Sequence, residues 1–409
     1  MTEINKSYAT LQKAFILEMD FVANIGRIVF LFPFINRTKL ALYCYHITFV
    51  LIFVTSTQLF VTLCLTGFTD WFEIVNIAPN LGVCVMILIK YRAIHKNKEL
   101  YECISHHFRV DLWAAIDDSM EHKSIVNQYT QTTRLIVRFE YYYTVILAVI
   151  VDLFPRLIMY YETNIAGKEM QYLYPFDGWY PFDKIKWYYV AYIWEASMTT
   201  VVIFIYLFVN MIHLSYTRCV CMELKILGDT MEGLVNKEQI AMIQSRINVA
   251  HTHFCIRKKL KFVISRHQFL AKIISELDSV LSNAMLLTYL FGSVFICLTV
   301  FTASVVDDSY MSLRYFSFFC SLLLETFFQC IIGQLLIDHS KKLETAIYFA
   351  DWVYADSDTK KMLLFFLMRV QNPFSLSANG YLTMNLDTFS GICSLSYQGF
   401  NLLRTAYSE

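Results

Sequence analysis

Seven stretches of this 409-residue chain carry few or no charged side chains, and segments rich in lysine and arginine separate them. The stretches are residues 40–69, 74–89, 141–161, 187–217, 279–306, 315–337 and 388–403. About 20 apolar residues cross the hydrocarbon core of a bilayer as a helix, so most of the seven are long enough to do so. The sequence therefore predicts an all-α membrane protein with seven transmembrane helices. The short stretches 74–89 and 388–403 depend on the other five for their assignment.

The basic residues indicate an orientation for these helices. Of the 34 lysine and arginine residues, 28 lie in the N-terminal segment and in every second loop, and 6 lie elsewhere. Cytoplasmic loops of membrane proteins collect lysine and arginine. We therefore predict that the N-terminus lies in the cytoplasm and the C-terminus outside, which is the reverse of a G-protein-coupled receptor.

The three long inner loops, 90–139, 218–278 and 338–387, contain apolar residues at helical spacing. The two clearest patterns are Ile240, Ile243, Ile247, Ala250 and Phe254, and then Leu343, Ile347, Ala350 and Tyr354. Such segments either lie on the membrane surface or continue the spans into a cytoplasmic bundle. We favour the bundle, because the loops contain few glycine or proline residues that would end a helix.

Composition and motifs exclude several function classes. A formal net charge of zero without a basic tail gives no reason to expect a nucleic-acid partner. We find no glycine-rich phosphate loop, nucleophile elbow or His-Glu-x-x-His motif, so we predict that the protein is not an enzyme. His251, His253 and Cys255 could ligate zinc in a tight turn, but side chains two apart diverge on a helix. We therefore predict no metal and no cofactor.

Three sets of motifs, in order along the chain, resemble those of a known family. Residues 173–176 read Leu-Tyr-Pro-Phe and 179–183 read Trp-Tyr-Pro-Phe-Asp, before the fourth span. Residues 368–373 read Met-Arg-Val-Gln-Asn-Pro, before the last span. The last span contains Thr-Phe at 388–389, Ser-Tyr at 396–397 and Leu-Leu-Arg at 402–404. Together with the inverted topology, these motifs resemble the insect odorant receptor family over the whole chain.

The resemblance implies a subunit of a non-selective, ligand-gated cation channel in the plasma membrane of olfactory sensory neurons. Small volatile apolar or aromatic odorants would open it, in a heterotetramer with a co-receptor subunit. The inner loop 218–278 is shorter than in family co-receptors, so the chain resembles an odorant-tuned subunit. Four parts are implied: a cytoplasmic N-terminus (1–39), six helices with an odorant pocket in their outer half (40–337), a cytoplasmic anchor segment (338–387), and a pore-lining helix with a short extracellular tail (388–409).

The resemblance also implies that the odorant pocket lies in the outer half, between the second, third, fourth and sixth helices, and the candidate pocket residues are taken from there. They are Ile74, Ile77 and Ala78 on the second helix, Ile150, Phe154 and Ile158 on the third, Tyr189, Tyr192, Ile193 and Ala196 on the fourth, and Tyr315, Phe316 and Phe319 on the sixth. Such a lining binds mainly by apolar burial, with tyrosine hydroxyls as the source of polar selectivity. Taken singly, each of these residues is more simply explained by ordinary helix packing.

The last span carries a narrow stripe of small, polar and apolar side chains, at Gly391, Ser394, Gln398, Leu402 and Thr405. A pore needs groups that water wets and an apolar ring that dewets to close. We assign Gln398 and Thr405 to the first role, and Leu402 with Ala406 to the second. Small residues also let helices pack closely in lipid, so the stripe alone does not establish a pore. The absence of Asp and Glu from it predicts weak discrimination among cations.

Four charged residues lie inside the spans, where insertion of a charge is costly. Asp152 and Arg156 are four residues apart on one helical face and could pair, with Pro155 marking a kink between them. Glu195 and Glu325 are expected to point into the protein.

Three other readings of the chain remain to be weighed. A G-protein-coupled receptor would need an outer N-terminus and Asn-Pro-x-x-Tyr in the seventh span, whereas Asn372 and Pro373 precede that span. A gustatory receptor-type channel would end its last helix in Gln-Phe, where this chain has Leu403 and Arg404. A transporter would show internal repeats, and none is evident.

Overall fold

The computed structural model describes residues 2–66, 71–115, 120–165, 167, 172–306 and 309–408, which are almost entirely helical. The helices are α1 (Thr2–Ile28), α2 (Lys39–Thr66), α3 (Trp71–Lys96), α4 (Lys98–His106), α5 (Leu112–Ala115), α6 (Met120–Asn164), α7 (Tyr188–Glu232), α8 (Lys237–Gln244), α9 (Val249–Val305), α10 (Ser309–Tyr348), α11 (Ser357–Val370) and α12 (Leu386–Ser408). A π-helical turn (His107–Asp111) joins α4 to α5, and a 3-10 turn (Trp352–Tyr354) precedes α11. The predicted all-α class is confirmed.

Within the described ranges, six helices are long and apolar enough to cross a bilayer: α2, α3, α6, α7, α9 and α10. They contain the first six predicted stretches to within a residue at each end, except that 67–69 lie outside the described residues. The seventh stretch lies in α12, which is too polar to be counted with those six. With 23 residues α12 is nevertheless about 34 Å long, enough to cross the hydrocarbon core.

The outward faces of these helices are apolar. Only 17% of the most apolar window of α6 is buried within the protein, and Ile146, Leu153 and Leu157 on this helix are exposed. A helix that is apolar around most of its circumference must be covered by protein or by lipid. These faces therefore fit contact with the acyl chains of a membrane.

Several helices are much longer than a bilayer is thick. Helix α9 has 57 residues, or about 86 Å, against a hydrocarbon core of about 30 Å. The N-terminal half of α9 packs with the C-terminal halves of α7 and α10, where Leu227, Leu260 and Leu343 are buried. The spans thus continue into a helical bundle, as predicted. The placement of that bundle in the cytoplasm stays a prediction.

The two apolar patterns in the inner loops have different outcomes. Leu343, Ile347 and Ala350 of the second pattern are buried in the bundle, but α10 ends at Tyr348, so only Leu343 and Ile347 lie on that helix. The first pattern, over 240–254, was wrong as a single helix, because α8 and α9 are separate. Arg246 and Asn248 between them have positive φ angles of 57° and 48°, which interrupt a right-handed helix.

A short hairpin precedes α12. Strands β1 (Ser377–Ala378) and β2 (Leu382–Thr383) pair antiparallel, with Ser377 opposite Thr383. Asn379 and Gly380 in the turn have φ angles of 54° and 72°, in the left-handed region that asparagine and glycine enter most readily. Asp278 of α9 accepts hydrogen bonds from the Ser377 amide at 2.5 Å and from the Ser377 hydroxyl at 3.0 Å. The hairpin is thereby attached to α9, and it fixes the position at which α12 begins.

Candidate ligand cavity and pore-facing helix

A cavity of about 530 Å³ lies between α2, α3, α6, α7, α9 and α10. Its volume falls within the range of small-molecule sites in proteins, and its lining is mostly apolar. Pro79 of α3 and Pro155 of α6 both contribute to the wall. A proline inside a helix removes one backbone donor and commonly bends the helix, so both are suited to opening space between straight neighbours.

One end of the cavity, the loop end, is formed by Pro175 and Phe176 together with Leu313 and Arg314 at the start of α10. Arg314 Nη2 donates a hydrogen bond to the carbonyl oxygen of Pro175 at 2.9 Å. The other end, the polar end, carries Glu140, Asn210, Glu325 and Gln329. Arg314 and Glu325 are eleven residues apart on α10, so the two ends lie roughly 16 Å apart along that helix.

The loop 172–187 closes over the loop end because Glu195 holds it. The buried Glu195 carboxylate accepts hydrogen bonds from three consecutive backbone amides, those of Phe176 at 3.0 Å, Asp177 at 3.1 Å and Gly178 at 3.0 Å. It also accepts one from the Tyr180 hydroxyl at 3.1 Å. Glu195 points into the protein, as predicted.

Tyr180 stays a neutral donor to this carboxylate. Burial, together with the neighbouring charge of Glu195, raises the pKa of the Tyr180 phenol above its usual range. The loop is also tied to α2, where the Thr62 hydroxyl accepts from the Trp179 amide at 2.8 Å and Gln58 Nε2 donates to the Trp179 carbonyl at 3.1 Å. The loop is thus a fixed part of the cavity wall.

Asp152 and Arg156 do not form the ion pair that their spacing suggested. The Asp152 carboxylate accepts a hydrogen bond from the Thr200 hydroxyl at 2.6 Å, and its backbone carbonyl accepts one from the Tyr192 hydroxyl. The Arg156 guanidinium lies over the rings of Tyr189 and Tyr192, 5.0 Å and 5.1 Å from their centroids. Both side chains therefore interact with residues of α7.

Three of the thirteen sequence-predicted pocket residues line this cavity: Ile150 and Phe154 of α6, and Tyr315 of α10. The other ten lie outside its lining, namely Ile74, Ile77, Ala78, Ile158, Tyr189, Tyr192, Ile193, Ala196, Phe316 and Phe319. Ile77 is buried between helices, whereas Tyr189, Ile193 and Phe316 are exposed on the outer surface. The fourth helix turns a different face to the cavity, which carries Met198, Val202 and Tyr206. Which residues contact a ligand stays a prediction.

The polar end of the cavity was not predicted from the sequence. The predicted pocket lies in the outer half of the spans, whereas the cavity continues to Glu140, Glu325 and Leu281 of α9. Glu325 was the available signal, since it is the only charge in the stretch 315–337. A single charge in an apolar helix must face the protein interior or a water-filled space.

Helix α12 packs by one face and leaves the other open. Ile392 and Ser396 are buried, and the Ser396 hydroxyl donates to the carbonyl oxygen of Ser293 on α9 at 3.0 Å. The predicted pore residues Gln398, Leu402, Thr405 and Ala406 all lie on the exposed face. Gly391 and Ser394, the remaining members of the stripe, are exposed as well. This face of α12 is therefore exposed in the single chain.

No group of three His, Cys, Asp or Glu side chains within the described ranges is arranged to hold a metal ion. His251 and Cys255 lie one turn apart on α9, with His251 Nε2 and Cys255 Sγ separated by 3.6 Å. Two such ligands are fewer than a structural zinc site needs.

Comparison with known proteins gives consistent results. The model of the 7tm odorant receptor family matches residues 74–397. Odorant receptor 67a of Drosophila melanogaster is 29% identical over 150 residues, which are 37% of this chain and 37% of that protein. Odorant receptor 67c of the same species is 31% identical over 149 residues, 36% of each protein. The chain therefore aligns with little more than a third of the length of these relatives.

Solved structures match over nearly the full length. The insect olfactory receptor OR5 from Machilis hrabei, in complex with eugenol, superposes with a TM-score of 0.78 and covers 98% of this chain and 99% of its own. A structure of the same receptor described without a ligand gives a TM-score of 0.75. Sequence identity is 16% in both cases, so the likeness shows a shared fold.

Proposed function

This chain belongs to the 7tm odorant receptor family, and we propose that it is the odorant-tuned subunit of a ligand-gated, non-selective cation channel. We propose further that it assembles with a co-receptor subunit into a heterotetramer in the plasma membrane of olfactory sensory neurons. The observation that carries the proposal is the cavity of about 530 Å³ between six helices, sealed at one end by the loop that Glu195 holds.

The dimensions of the cavity suit a small volatile ligand. An odorant of about ten heavy atoms fills only part of it, and apolar burial at roughly 25 cal/mol per Å² supplies several kcal/mol. We therefore expect micromolar affinity and tolerance of related shapes. Apolar and aromatic molecules fit the wall formed by Ile150, Phe154 and Phe328.

The open face of α12 supports its role as the pore wall. In a monomeric membrane protein, Gln398 and Thr405 would face lipid, which is an unfavourable environment for side-chain amides. In a tetramer the same face can surround a water-filled path, with Leu402 and Ala406 as its apolar constriction. The proposed orientation has the N-terminus and the α7–α9–α10 bundle in the cytoplasm and the C-terminus outside.

Two alternatives predict different topologies or ligands. A G-protein-coupled receptor would have its N-terminus outside, so an epitope at Met1 that labels in intact cells would favour it. A gustatory receptor-type channel would respond to soluble tastants in place of volatiles. The family itself is one of receptors and not of enzymes.

The direct test is coexpression with a co-receptor under voltage clamp, with a broad volatile panel. We expect at least one odorant to evoke an inward cation current. Ser321 lines the cavity, so Ser321→Phe should fill part of it and weaken responses about tenfold or more. Cys320→Phe places the same ring on the neighbouring position, outside the lining, and should leave responses near wild type. A complex that reaches the surface and answers no odorant that drives sister receptors would contradict the proposal.

A charge at Gln398 tests the pore assignment. We expect Gln398→Glu to increase conductance for cations and Gln398→Lys to decrease it, because a charged ring attracts or repels permeant ions. Single-channel conductance and reversal potentials in mixed Na⁺ and Ca²⁺ solutions measure both changes. If the two variants shift conductance in the same direction, or if neither changes it, Gln398 does not face the pore.

A further inference from the structure

The polar end of the cavity holds more negative than positive charge. Glu140 of α6 and Glu325 of α10 both contribute to the wall. Lys90 of α3 is fully buried beside them, and its ammonium group lies 5.3 Å from the centre of the Tyr206 ring. His213 also lines this end, but it shares a hydrogen bond of 2.7 Å with the Tyr101 hydroxyl. The polar end therefore has two carboxylate groups and one ammonium group.

One donor in the cluster is bound to a carboxylate: Gln329 Nε2 donates to Glu325 Oε1 at 3.1 Å. Lys90 Nζ and the Tyr206 hydroxyl are buried and make no hydrogen bond within the described residues, and Glu325 is an acidic neighbour of both. Lys90 is not part of the cavity lining, so its charge compensates Glu325 from behind the wall.

Acceptors remain unused on the cavity side. Glu140 makes no hydrogen bond and no ion pair with any described residue. Gln329 is 5% exposed, and its Oε1 has no hydrogen-bond partner although it is buried. A buried acceptor without a donor is destabilising, and a buried charge without a partner is more so. The site therefore lacks a group that donates several hydrogen bonds and carries a positive charge.

We propose that the polar end binds the ammonium group of a small volatile amine, held by Glu140, Glu325 and the free carbonyl oxygen of Gln329. A primary ammonium has three N–H donors, which matches three acceptors, and its charge balances the carboxylate that Lys90 leaves uncompensated. The hydrocarbon part of the ligand lies against Tyr143, Phe328 and Ile332. This inference rests on the proposed function, since it names the ligand class of the same cavity.

Matched ligands separate this proposal from a general apolar pocket. The channel, coexpressed with its co-receptor, is exposed to sets that share a skeleton and differ in one group: 2-phenylethylamine, 2-phenylethanol, methyl 2-phenylethyl ether and ethylbenzene, with the same series on hexyl and isoamyl chains. We expect amines to be the most potent members, about tenfold over the alcohols and more over the ethers and hydrocarbons. An alcohol equal to or better than its amine would overturn the ammonium assignment.

The residue test uses Glu140→Gln, which removes the charge and keeps the shape. We expect the half-maximal concentration for amines to rise about 30-fold or more, and to rise more for amines than for ethers and hydrocarbons. Glu121→Gln, an exposed position on the same helix, should change neither. Surface biotinylation reports whether Glu140→Gln folds and assembles.

The outcomes distinguish the two levels of inference. Currents evoked by neutral odorants, together with amines that are weak or insensitive to Glu140→Gln, would overturn the amine subsite and leave the proposed channel intact. A complex at the surface that no ligand opens would overturn both.

Discussion

Glu195→Gln should release the loop that closes the cavity. A carboxylate accepts from all four donors at Glu195, whereas an amide turns one N–H₂ group toward them. Hydrogen bonds to a charged group contribute about 1.5–3 kcal/mol each, so we expect a loss of at least about 3 kcal/mol in loop closure. At 1.4 kcal/mol per factor of ten, the population with an open loop rises more than about 100-fold.

Hydrogen exchange across residues 172–187 measures this opening directly, and odorant potency measures its functional cost. Faster exchange should be confined to the loop and should accompany weaker responses. Tyr180→Phe is the matched control, because it removes only one of the four donors and should cost about 1.5 kcal/mol. Exchange in Glu195→Gln that is indistinguishable from wild type would show that the carboxylate does not hold the loop.

Gly333→Ala should uncouple the last helix from its neighbour. A Cβ atom at Gly333 of α10 would lie 2.1 Å from the carbonyl oxygen of Met384 and 2.7 Å from the Met384 Cβ. The first contact is with backbone, so the chain just before α12 must move by about 1 Å or more to relieve it. Overpacking of this kind costs about 1–3 kcal/mol. Because α12 begins two residues later, we expect odorant-evoked current to fall about tenfold or more at equal surface density.

Gly391→Ala is the matched control on α12 itself. A Cβ atom at Gly391 would meet nothing within 4 Å in the single chain. If no neighbouring subunit packs against this position, the variant should conduct as the wild type does. Surface biotinylation separates loss of gating from loss of folding. Equal currents from Gly333→Ala and wild type would mean that the contact between α10 and Met384 has no role in opening.

The helices were predictable from sequence, because bilayer thickness and the cost of unpaired backbone groups leave few arrangements for long apolar segments. The face that each helix turns to the cavity was harder to predict from the sequence. On α7 the exposed Val190 and Ile193 are as apolar as the lining residue Val202, and a helix covered by lipid has no polar face that would indicate its rotation.

The interactions of the charged residues also required the structure. Asp152 and Arg156 had a favourable spacing, yet their partners come from α7, more than thirty residues away in sequence. The break between α8 and α9 depends on positive φ angles at Arg246 and Asn248. An arginine in the sequence does not predict a positive φ angle. Local spacing predicted elements well, and contacts between elements poorly.

Met384 lines the cavity, and its carbonyl oxygen lies so close to Gly333 that there is no room there for a Cβ atom. A bound molecule can shift a conformational equilibrium only by the difference in its affinity for the two states. A ligand that contacts Met384 can bind the open and closed channel with different affinities, because it touches the segment just before α12. A ligand that contacts only residues near Phe176 must act through the intervening helices. Two compounds that bind equally well and differ by one or two methylene groups will therefore differ in efficacy, the shorter acting as an antagonist of the longer.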